Sequence, residues 1–221
     1  MRKSVLTLVA LFILVLVFWD WPLLYPLRVF VVLLHELGHG LAAVLTGGTI
    51  ERIAVNADLS GVCWSRGGWR LVILPAGYLG SMLFGGLILV AAARLRHDRL
   101  LAALLGLAVL ALSAVFVRTA FGLLFGLGFG AGLVAAAVVL PAAVNDLLLK
   151  TLGLTSVLYA VIDIKEDLIT RTVAGSDAYA MSRELGLPPV FWGLVWITLA
   201  LVAALLVLWI AARGERENAA A

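Results

Sequence analysis

A chain of 221 residues that is 64% hydrophobic and only 13% charged, with a mean hydropathy of +1.14, has too little polar surface for a water-soluble fold. It reads as a single-domain integral membrane protein. The net charge of +3 gives no sign of a nucleic-acid partner, because its basic residues fall in short loops and at the termini, where lipid headgroups are met. One cysteine, Cys63, excludes an internal disulfide and any multi-cysteine metal site.

The first apolar run, residues 5–19, follows Met1-Arg2-Lys3 and ends in Trp19-Asp20-Trp21-Pro22. A signal peptide would end in small residues; tryptophans flanking a charge suit an uncleaved first span anchored at the interface. Further apolar segments cover residues 27–45, 71–93, 100–117, 121–143 and 190–212. Each approaches the roughly 20 residues that a crossing helix needs. A weaker segment, 151–164, is interrupted by Asp163 and is expected as a helix buried in the bundle. The expectation is an all-α membrane protein, a polytopic bundle of six or seven spans.

Residues 1–24 would form the first span, 27–178 the core and 190–212 the last span. The polar stretch 46–69 is rich in turn formers. Its segments 53–55 and 62–64, separated by Asn56-Ala-Asp-Leu-Ser-Gly61, predict a small β-hairpin at about 49–65, after the second span. Residues 165–189 read as the largest extramembrane loop. The G-x-x-x-G pairs Gly122/Gly126 and Gly128/Gly132 predict close helix packing. Orientation is not fixed, since Arg2 and Lys3 favour one side and Arg94, Arg96 and Arg99 the other.

Inside the second segment lies His35-Glu36-Leu37-Gly38-His39, a full H-E-x-x-H. On a helix the two histidines, four residues apart, share a face and can address one metal ion. Glu36 follows the first of them and can reach a metal-bound water as general base. Two imidazoles and a carboxylate at membrane depth need a partner, which a divalent cation supplies. A catalytic zinc site normally takes three protein ligands. His97, in a basic loop, reads as a solvated residue. Asp163 is the favoured third ligand, because a carboxylate in the apolar stretch 156–164 most needs a counter-charge. Asp177 is the alternative, with a competing role as the cap of a helix beginning near Tyr179. Asp146, beside Asn145, reads as a span-end residue.

These features resemble the site-2 protease family of intramembrane zinc metalloproteases, in a compact branch found in bacteria and plants. The resemblance rests on His35-Glu-Leu-Gly-His39-Gly40, Thr46-Gly-Gly48, Pro75-Ala-Gly-Tyr-Leu-Gly-Ser81 and Gly175-Ser-Asp-Ala178, in that order. Where the wider family carries Leu-Asp-Gly, this chain reads Val161-Ile-Asp163-Ile164. The resemblance implies a Zn2+ cofactor, cleavage of membrane-embedded or membrane-adjacent peptide segments, and a multi-pass place in a bacterial cell membrane. Zinc would be held by His35, His39 and Asp163, with Glu36 as base. The hairpin would offer an edge strand to an extended peptide, with Arg52, Ala54 and Asn56 positioning it. A non-catalytic member that binds membrane segments or partner proteins is the competing reading. A transporter reading lacks the internal repeats common in transporters.

Overall fold

Hydrocarbon offers backbone groups no partner, so long apolar runs close their hydrogen bonds internally as helices. The computed structural model describes residues 2–165 and 175–220. Its long helices are α1 (Arg2–Val17), α2 (Tyr25–Leu45), α4 (Ala76–Arg94), α5 (Asp98–Phe116), α6 (Ala120–Val139), α7 (Ala142–Lys165) and α9 (Pro189–Ala220). Short helices α3 (Arg70–Ile73) and α8 (Asp177–Leu185) lie between them.

Among the described residues six helices are long and apolar enough to cross a membrane, namely α2, α4, α5, α6, α7 and α9. The count is as expected, but its membership differs. The apolar part of α1, Leu8–Val17, falls short of a full crossing, whereas α7, expected as the short segment 151–164, is a 24-residue span. Asn145, Asp146 and Lys150 hid its first half, and the fold neutralises them. Lys150 pairs with Asp146 at 2.6 Å, and the Asn145 side chain donates to the carbonyls of Ala136, Leu140 and Pro141, closing the end of α6.

The helix that carries H-E-x-x-H is the most enclosed. Proline in its first turn is pre-set for helical φ, and the chain then stays helical for 21 residues. Val29 to Leu34 are all buried, and Phe30 stacks on Phe129 of α6 at 5.2 Å. In lipid, apolar side chains gain little by leaving one apolar medium for another, so close backbone approach decides which helices pair. At Gly38 a Cβ would lie 2.1 Å from the Ala76 carbonyl oxygen, so α2 and α4 meet there at backbone contact. Gly126 faces the Ser113 side chain of α5 and Gly122 the backbone carbonyl of Val55, whereas a Cβ on Gly128 or Gly132 would have nothing within 4 Å. The second G-x-x-x-G therefore packs against no other part of the described chain, contrary to expectation, because it lies on the opposite face of α6.

The expected hairpin is present as strands β1 (Thr49–Val55) and β2 (Gly61–Arg66), antiparallel, with Ile53 opposite Cys63 and an irregularity between Ile50 and Arg52. Its tip is tied to the start of α2 by the Tyr25 hydroxyl, which donates to the Ala57 carbonyl at 2.7 Å. The outer side of β1 is taken up by the α5–α6 turn. Ile53 bridges Val117, the Arg118 amide donates to the Ile53 carbonyl, and the Thr119 hydroxyl donates to the Val55 carbonyl. Only β2 keeps an outer edge without a strand partner among the described residues.

Candidate metal centre

His35 and His39 project from one face of α2 toward the start of α4 and the start of α8. Their rings meet edge to face at 4.8 Å, and Tyr78 of α4 packs edge-on against His35 at 4.8 Å. One oxygen of Asp177 lies 3.3 Å from His35 Nε2 and 3.2 Å from His39 Nε2. Two imidazoles and one carboxylate thus converge from residues 142 apart in sequence. Burial opposes ionisation of Asp177, but the facing imidazoles of His39 and His35 outweigh it and hold the carboxyl well below the usual carboxylate range. On the far side of its ring, His39 Nδ1 meets the Ile73 carbonyl at 2.7 Å, an arrangement that fixes the ring with Nε2 presented to the centre.

The donor set suits a divalent ion of intermediate softness. The ligand atoms of His35, His39 and Asp177 all lie within 4.8 Å of one another, and imidazole with carboxylate oxygen is a zinc set. There is also room for it. A Cβ on Gly77 would stand 2.2 Å from His35 Nε2 and 2.4 Å from His39 Nε2, so glycine leaves open the point at which both nitrogens aim.

Glu36 is buried beside the pair, and β2 closes over it. The backbone amide of Cys63 faces its carboxylate, and a Cβ on Gly61 would come within 2.4 Å of Glu36 Oε1. The four side chains His35, Glu36, His39 and Asp177 line an open cleft of about 450 Å³ whose wall is β2 from Gly61 to Ser65, with Tyr159 and Asp163 from α7.

Asp163 lies in this cleft, but its carboxylate approaches the other nitrogen of His35, with Oδ2 3.9 Å from Nδ1. Asp177 is not the cap of α8: Ser176 holds that position, and Asp177 is the first helical residue, turned toward the imidazoles. The helix begins two residues earlier than the sequence suggested, and this rotates the carboxylate inward. His97 is exposed at the start of α5, and Asp146 is engaged with Lys150. Of the hairpin residues expected to position a peptide, none lines the cleft: the Arg52 guanidinium lies over the Trp64 ring at 4.3 Å, Ala54 is buried, and Asn56 bonds Ser60 at the tip. The sequence singled out β1, whose outer side the α5–α6 turn covers. Gly77 and Gly61 escaped residue-level reading, since nothing local marks a glycine as standing against a side chain from a distant helix.

No curated protein and no solved structure matches the chain. The Peptidase M50B-like family profile matches residues 8–207, nearly the whole length and every element that builds the centre, so the chain belongs to that family, the site-2 proteases.

Proposed function

We propose that the protein is an intramembrane zinc endopeptidase that cleaves membrane-embedded or membrane-adjacent peptide segments. The observation that carries this reading is the convergence of His35 Nε2, His39 Nε2 and the Asp177 carboxylate beside a buried Glu36, in a cleft walled by a free strand edge. His35, His39 and Asp177 would hold the ion. Asp177 takes the place that the sequence favoured for Asp163, because its oxygen touches both nitrogens that face the centre. When bound, zinc would supply Lewis acidity to a carbonyl and lower the pKa of a water.

The rest falls to the chain. An extended peptide would add to the outer edge of β2, its backbone bonding the strand and its scissile carbonyl lying along the histidine pair. A helical substrate has to unwind locally first, because its carbonyls are already bonded, and the strand edge offers replacement partners. Glu36 would take the proton of the attacking water and pass it to the leaving amine.

The test is Glu36→Gln against wild type, with zinc content measured on purified protein and cleavage read on a panel of single-span reporter segments co-expressed with the chain. Wild type should carry about one zinc and cut at least one reporter. The variant should keep the zinc and cut none. A wild type without stoichiometric zinc, or equal cleavage by both proteins, overturns the reading.

A further inference from the structure

We infer that Asp163 is a positioning residue, the outer partner that sets the orientation and tautomer of His35 through the ring nitrogen turned away from the metal centre. The inference rests on the proposed metal site and deepens it.

The two histidines are alike on one side and unlike on the other. Both turn Nε2 to the Asp177 oxygen, at 3.3 and 3.2 Å. A neutral imidazole that offers Nε2 as a lone pair must carry its proton on Nδ1. His39 has a place for that proton, since Nδ1 meets the Ile73 carbonyl at 2.7 Å. His35 Nδ1 is buried and makes no hydrogen bond. A buried N–H without a partner is costly, and metal-bound histidines nearly always donate their second nitrogen to a carboxylate, a carbonyl or a water.

Asp163 Oδ2, 3.9 Å from Nδ1, is the carboxylate that faces this nitrogen. The gap is longer than a direct bond. A shift of under about 1 Å closes it, or one water bridges it. Asp163 sits on α7, whose neighbour Tyr159 packs against Trp19, so its backbone is held by the bundle and not by the cleft mouth. A carboxylate here favours the Nδ1–H tautomer, turns the ring so that Nε2 faces Asp177, and raises the basicity of Nε2 as a ligand. It does so from the far side of the ring, where it cannot share the same ion.

The experiment compares wild type with Asp163→Asn, Asp163→Ala and Asp177→Ala, all stripped of metal in detergent and reloaded with zinc against a competing chelator. Thermal unfolding of the stripped proteins runs alongside. Asp163→Ala should still bind one zinc, with affinity reduced about 10- to 100-fold, the usual range for an outer-shell partner. Asp163→Asn keeps an acceptor oxygen without the charge and should recover part of that loss. Asp177→Ala should lose stoichiometric binding. The stripped Asp163 variants should melt with wild type, which separates an effect on the ligand from damage to the fold. Wild-type affinity in Asp163→Ala overturns the inference, as does zinc lost in the Asp163 variants but kept in Asp177→Ala. A graded loss matched by equal loss of thermal stability overturns it too. Failure of wild type itself to bind zinc overturns the metal site, and this inference falls with it.

Discussion

Gly77 allows the sharpest quantitative test of the centre. Adding a single methyl, Gly77→Ala, would place a carbon 2.2 Å from His35 Nε2 and 2.4 Å from His39 Nε2, where ordinary contact begins at 3.4 Å. Each imidazole must therefore retreat by about 1 Å. The obstructing atoms belong to side chains, so α4 can keep its course while the rings swing. Helix propensity acts the other way, since alanine is favoured over glycine by up to about 1 kcal/mol. Metal–ligand distances tolerate only about 0.2 Å. Displacing two of three ligands by several times that tolerance should weaken zinc binding at least 100-fold, about 2.8 kcal/mol. The assay is chelator competition on the purified variant, with thermal unfolding of the metal-free form as control. The metal-free melting point should stay within a few degrees of wild type while zinc affinity collapses. Gly128→Ala, with nothing within 4 Å of its new carbon, should leave zinc affinity unchanged. A Gly77→Ala protein that binds zinc as tightly as wild type would refute the placement of the centre between the two Nε2 atoms.

Two further outcomes concern β2. Cys63 stands opposite Ile53, whose carbonyl bonds the Arg118 amide on the outer side, so the Cys63 amide points out of the hairpin, and by strand alternation the Ser65 amide, at the cleft wall, does the same. Ser65→Pro removes that donor without touching the ladder to β1. Cleavage efficiency on a membrane reporter should fall roughly 2- to 12-fold, the worth of one hydrogen bond, at unchanged zinc content; unaltered kinetics would mean that substrate does not add to this edge. Burial pushes the Cys63 thiol up to about 12, and the Glu36 carboxylate adds to the rise. Because the thiolate is the reactive form, alkylation at pH 8 should be slower than for an ordinary thiol by on the order of a thousandfold, until denaturant restores it. Rapid labelling of the folded protein would contradict that burial.

What the sequence revealed follows from how local each signal was. His35, Glu36 and His39 were legible because four-residue spacing on a helix is a local rule and α2 is an uninterrupted apolar helix. The hairpin was legible for the same reason, through its turn formers. The first half of α7 was hidden because hydropathy sums Asn145, Asp146 and Lys150 as separate polar residues, although Asp146 and Lys150 stand one helical turn apart and pair. The carboxylate that joins the two histidines was hardest. Asp163 and Asp177 both reach the cleft, and the choice between them turns on which ring nitrogen each meets, a matter of helix packing over more than a hundred residues. Burial argued for Asp163 from the sequence, yet the carboxylate at the first position of α8 touches both Nε2 atoms.

The distance along the chain between the two halves of the centre bears on how it comes into being. His35 and Asp177 are 142 residues apart, with four of the crossing helices between them. At a synthesis rate of about 5–20 residues per second, Asp177 leaves the ribosome roughly 7–28 s after His35. During that interval α2 is made and can enter the membrane, but the candidate site lacks Asp177 and α8 does not yet exist to bring it. A half-made chain surrounded by other nascent membrane segments therefore carries an incomplete centre. Docking of α8 is the step that would complete the proposed site, so the order of translation would itself delay any chemistry there.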